Sequence, residues 1–179
     1  MTRAAQVLTQ DAIYTALRAY VKDMLGYDDD HVRRAYINNI PLPTYPFVLI
    51  TDVRASDNAT NEHGYDGVGN TVKISTSQII DVQFDFYGQD SNDDAQLIEQ
   101  IFRDPVSTDY FSSYGIVPLY ADDVIQTGRT DENENFMVRN ALTLHFNAHP
   151  QVTLAQDFFT SIEPQVITVP QDIKTGQGA

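Results

Sequence analysis

The chain has 179 residues, 42% of them apolar, with ten Tyr, nine Phe, no Trp and no Cys. That suits one domain with an ordinary core and excludes general disorder, a disulfide framework, a thiolate metal site and a cysteine nucleophile. The net charge is −14, and between Ala35 and Phe102 only Arg54 and Lys73 are basic against ten acids, so the clustered cations of a conventional nucleic-acid surface are missing.

Leu8, Ala12, Ile13, Ala16, Leu17, Tyr20, Val21 and Met24 recur at helical spacing, with Thr9 as N-cap and Gly26 as the stop. Asp28 to His31 is a polar turn. The prolines of Ile40–Pro46 then enforce an extended connection. Phe47–Val53 reads as a strand. Ser56–Asn70 is rich in Asn, Asp and Gly and reads as a long polar hairpin loop.

The strongest pattern follows. Val72, Ile74, Ile80, Val82, Phe84 and Phe86 hold even positions, and Lys73, Gln83 and Asp85 odd ones. Alternation of this length means a sheet with one buried face, interrupted by a bulge or break near Ser75–Ser77. Gly88 ends the strand, and Ser91-Asn92-Asp93-Asp94 predicts a capping box for a helix buried through Ala95, Ile98, Ile101 and Phe102.

After Pro105 a short aromatic helix or turn runs from Thr108 to Tyr114, closed by Gly115. Ile116–Tyr120 is extended and, because Pro118 lacks a donor, belongs at a sheet edge. Gly128–Asn135 reads as an acidic turn before a second long strand with Phe136, Val138, Leu142, Leu144 and Phe146 on one face. Val152–Val169 has room for one or two short elements, and residues 171–179 read as a flexible tail. The order predicts an α+β fold, an antiparallel sheet with helices packed on one face, as a single domain over residues 1–170.

Motifs for chemistry fail individually. Gly67-Val68-Gly69 lacks the third glycine of a dinucleotide fingerprint and leads into a strand. Asp90–Asp94 resembles the start of a calcium loop, but Ala95 and Ile101 stand where Gly and Glu are required. Asp28-Asp29-Asp30-His31 reads as a solvated acidic turn rather than a cation site. His145 and His149 lie on strand periodicity, about 13 Å apart and too far to share a metal, so His145 is expected at solvent or an interface. No Gly-x-Ser-x-Gly elbow is present. No catalytic residue, cofactor site or metal site is predicted. Residues 1–6 lack the halves of a signal peptide, and no apolar run approaches the ~18 residues of a membrane span, which points to a soluble protein made in a cytoplasm.

Three stretches carry a resemblance. They are Ile80–Gly88 with the Ala95–Phe102 helix, Asp109-Tyr110-Phe111 leading to Gly115–Tyr120, and Glu134–Arg139 running into Leu142-Thr143-Leu144. In order and spacing they cover about residues 80–158 and resemble the tail-terminator or neck family of contractile-tailed phages. The resemblance implies a non-enzymatic virion subunit, built in the host cytoplasm, that forms a ring, usually a homohexamer, at the head-proximal end of the tail. Such a ring ends tube polymerisation and meets tube, sheath and head-completion proteins, while genomic DNA passes its lumen without specific binding.

The acidic surface reads either as a solubility device or as a wall that passing DNA does not stick to. The polar loops are the expected contacts with neighbouring subunits, through Asn58, Glu62, Tyr65, Asp66, Arg129, Asp131, Glu132, Glu134 and Arg139. Two other classes stay open: another connector, tube or baseplate component, and a small-ligand-binding domain or enzyme.

Overall fold

A computed structural model describes residues 5–36, 41–130 and 136–156. In chain order the elements are β1 (Ala5–Val7), α1 (Gln10–Leu25), β2 (Val32–Arg34), β3 (Phe47–Asp57), β4 (Glu62–Asp66), β5 (Thr71–Ser75) and β6 (Gln78–Tyr87). There follow α2 (Ser91–Phe102), α3 (Pro105–Ser112), β7 (Ile116–Ala121), β8 (Ile125–Thr130), β9 (Phe136–Ala148) and β10 (Gln151–Ala155). The fold is α+β, as the order of elements predicts.

One sheet has the order β2-β3-β6-β9-β7, with β8 also on β9; the other has the order β1-β10-β5-β4. All pairings are antiparallel except β2 with β3. The helices cover one face of the larger sheet. Ala16, Leu17, Tyr20 and Val21 of α1, Ala95, Ile98 and Phe102 of α2, and Phe111 of α3 meet Ile50, Val82, Phe84, Phe86, Leu142, Leu144 and Phe146 in one cluster. Each fully buried Phe contributes about 2–3 kcal/mol, so the stability of the molecule resides in this layer.

The even positions of β6 and β9 are the inward ones there, as alternation predicts. Val138 departs from the pattern and is half exposed. It sits where β9 has run past β6 and pairs with β8 alone, Gly128 facing Val138.

The expected interruption near Ser75–Ser77 divides two sheets. Gln78 faces Ala148 on one side and Ser75 faces Gln151 on the other, so both strands skip the same number of residues and the register is kept. Pro150 removes a donor from the skipped pair, and the Thr76 N–H donates to the Pro150 carbonyl at 3.2 Å. The smaller sheet thus continues the pairing of β6 with β9 beyond the helical layer. Its described side chains are mostly exposed, with Val72 the buried one.

Local signals agree with the structure at the first helix. Thr9 Oγ1 accepts from the Ala12 N–H at 3.2 Å, and Gly26 is left-handed at φ 69°. They differ at the second. Asp90, not Ser91, holds the N-cap position and makes no side-chain cap bond. Ser91 is buried and donates to the Gly88 carbonyl at 2.7 Å, while Asp94, the expected box acid, accepts from the Tyr27 hydroxyl at 2.5 Å. A tertiary partner has claimed each half of the box.

Two further expectations are corrected. Residues 56–70 are not one loop: β3 runs on to Asp57, and β4 pairs residue for residue with β5. Gly128 to Thr130 belong to β8 rather than to a turn, and residues 131–135 lie outside the described residues. In both places the backbone finds a partner strand although no side chain is apolar enough to announce it. Of the C-terminal stretch, β10 is seen and residues 157–179 lie outside the described residues.

Candidate interaction site

The face of the larger sheet away from the helices carries polar groups in register. Asp85 is buried, accepts from Arg139 Nη2 at 2.8 Å and from Gln83 Nε2 at 2.7 Å. The Asp85 carboxylate holds the Arg139 guanidinium in its charged form against the opposing effect of burial. One step along, His145 Nδ1 lies 2.7 Å from Asp81 Oδ1, and the ring stacks on Tyr120 with centroids 4.1 Å apart. Nε2 is 3.3 Å from Asp122 Oδ1 without hydrogen-bond alignment. Of the two places expected for His145, solvent or an interface, solvent is corrected: it is 9% exposed and held between elements.

Arg139 and Asp85 mark the limit of what alternation reveals. Odd positions are predicted outward-facing, and they are, yet pairing across strands buries the charge. Of the expected contact residues, Arg139 is thus committed within the chain. Asn58, Glu62, Tyr65 and Asp66 are exposed on or just before β4. Asp66 Oδ1 accepts from the Val68 and Gly69 N–H groups at 3.0 Å each, and these amides hold its carboxyl below the usual range. Arg129 lies in β8, and Asp131, Glu132 and Glu134 lie outside the described residues.

The acidic turn after α1 is neutralised by its surroundings. Asp29 meets Arg18 and Lys22, Asp28 meets His31, and Asp30 meets Arg33 at 3.1 Å. Side-chain hydrogen bonds, with His31 for Asp28 and from Lys22 for Asp29, lower both carboxyls from their ordinary value. Beside this turn, at the β2 edge, a shallow groove of about 70 Å³ is lined by Arg33, Arg34, Tyr36, Pro41, Leu42 and Leu49. Composition offers one clue to it, apolar residues set among prolines in a connection that has no core to enter.

No group of three or more His, Asp or Glu is placed to hold a metal among the described residues. Among them, too, no helix is long and apolar enough to cross a membrane. The geometry is that of a helix-backed sheet with projecting hairpins and polar and apolar surface patches. The chain belongs to the phage neck terminator family: the family described as phage neck terminator protein matches residues 11–172. No curated protein matches the chain. Membership makes it a structural protein of the virion's tail or neck, meeting other proteins there.

Proposed function

We propose that the protein forms a ring, a homohexamer, that ends tail-tube polymerisation at the head-proximal end and joins the tail to head-completion proteins. The family match over residues 11–172 carries this reading. The shape supports it. The β4–β5 hairpin and the β8–β9 hairpin project from opposite ends of the larger sheet, as a subunit contacting one layer above and another below requires. Their contacts would run through Asn58, Glu62, Tyr65 and Asp66 on one side and through Arg129, Asp131, Glu132 and Glu134 on the other, with Arg139 fixing the base of the second. Sheath proteins contact the same ring.

Six copies would carry about −84 formal charges, which repels DNA moving through the lumen. Assembly proceeds in the host cytoplasm. Electron microscopy of purified protein, alone and with purified tail tubes, tests the reading. Rings, or caps at one end of each tube, are expected. A protein that ignores tubes rules it out, and one that polymerises into long tubes identifies a tube component instead.

A further inference from the structure

The alternation that runs through β6 and β9 carries on where the helices stop. Across the smaller sheet His63, Ile74, Val152 and Gln6 stand in one row, and Tyr65, Val72 and Leu154 in the next. Both rows lie on one face, while Glu62, Lys73, Ser75, Gln151 and Thr153 lie on the other. The register is kept through Ser75–Gln78, so the apolar rows continue the even-numbered face of β6 and β9 that the helices cover.

The three helices pack on β2, β6, β7 and β9. On the smaller sheet Val72 is buried and Ile74 and Val152 are half-buried, but Leu154 is 39% exposed. A sheet that is apolar on one face and polar on the other needs a second layer.

The residues after β10 supply one. β10 lies between β1 and β5, so both its edges are paired and the chain beyond it turns onto a face or leaves the sheet. The Gln156 N–H still donates to the Asn70 carbonyl at 2.8 Å, which puts the exit next to the row of Leu154 and Val72. Residues 157–179 follow, outside the described residues. They include Phe158, Phe159, Ile162, Val166, Ile167 and Val169, and between Phe158 and Pro170 only Glu163 is charged. Neighbouring strands are about 4.8 Å apart and extended chain advances about 3.3 Å per residue, so about three or four residues cross β10 and β5. Other surfaces nearby are unsuited. The helical side of the larger sheet is filled by its own core, and the opposite face is lined by Asp81, Gln83 and Asp85.

We infer that residues 158–170 lie over β5 and β10 as a strap on their own chain, with Val72, Ile74, Val152 and Leu154 beneath. Tyr65, on the outer strand β4, lies beyond the strap. The strap belongs to the single subunit and does not depend on the ring proposed above.

The chain has no cysteine, so introduced thiols report on the strap. Ile74→Cys, beneath it, and Lys73→Cys, on the opposite face, are each made in the full chain and in a chain ending at Gln156. Maleimide labelling at position 74 is expected to be about tenfold faster in the shortened chain, with position 73 fast and unchanged. Equal rates at position 74 in two folded chains overturn the inference. Should the shortened chain lose its unfolding transition, the full chain decides. There Ile74→Cys combined with Ile162→Cys is treated with a short bis-maleimide, and a link within one chain is expected. Mixing isotope-labelled with unlabelled protein separates links within a chain from links between chains. Links only between chains make a second copy the occupant of the face, and no link at all places the segment elsewhere; either result overturns the strap.

Discussion

Tyr20 and Ser107 are both fully buried, with oxygens 2.6 Å apart. Ser107 Oγ already donates to the Ile101 carbonyl at 2.8 Å, so the tyrosine hydroxyl is the donor between them. An ordering follows. Tyr20→Phe removes one hydrogen bond and leaves Ser107 bonded, at a cost of about 1 kcal/mol. Ser107→Ala strands the buried Tyr20 hydroxyl, at about 2 kcal/mol, while the Ile101 carbonyl keeps the Asp104 N–H at 3.0 Å. Urea unfolding of the two variants checks the order. Burial raises the Tyr20 pKa above 10, and burial together with the neighbouring carboxylates Asp94 and Asp23 raises those of Tyr27 and Tyr110. Above pH 10 the unfolded chain sheds these protons more readily than the folded one, so it binds fewer and stability falls as pH rises. The contribution is complete below pH 10. A Tyr27→Phe, Tyr110→Phe variant is therefore expected to lose less of its urea midpoint between pH 8.5 and 10.5 than the parent.

At the level of elements, what the sequence announces and what forms diverge where one residue serves two masters. The α1 stripe, its Thr9 cap and its Gly26 stop were readable because each acts within one turn. The Ser91–Asp94 box was not, since Asn140 Nδ2 donates to Ser91 Oγ at 2.8 Å from 49 positions away, and Tyr27 reaches Asp94 from 67. Gly88 joins β6 to α2 at φ 136°, and a Cβ there would stand 3.0 Å from Pro46 Cβ and 3.3 Å from its Cα. Gly88→Ala is accordingly expected to cost about 1–3 kcal/mol, through strain and a backbone contact that cannot swing aside. An unchanged thermal midpoint would remove both causes. β4 escaped detection for the opposite reason. All five of its residues are exposed, so only its ladder to β5 defines it as a strand.

For the whole molecule, stability and assembly are carried by different parts. The core lies between the three helices and the larger sheet, whereas the hairpin of β4 and β5 contributes Val72 to the buried set. Replacing residues 60–68 by a short turn is expected to leave the main unfolding transition in place while abolishing capping of tail tubes. Scanning calorimetry and microscopy of the same preparation separate the two effects. Loss of the folded state would show instead that the hairpin is part of the fold.

The sequence by itself determined the class of fold, the inward faces of β6 and β9, the edge position of β7 and the family. These depend on the alternation of apolar side chains, on proline and glycine, and on residue order, all of which are local. Only the tertiary structure decided that the alternating run from Val72 to Phe86 serves two sheets. It also decided that Asp85 and His145 are buried among partners. Each of those depends on which distant strand lies alongside, and pairing across long separations leaves no periodic trace in either partner.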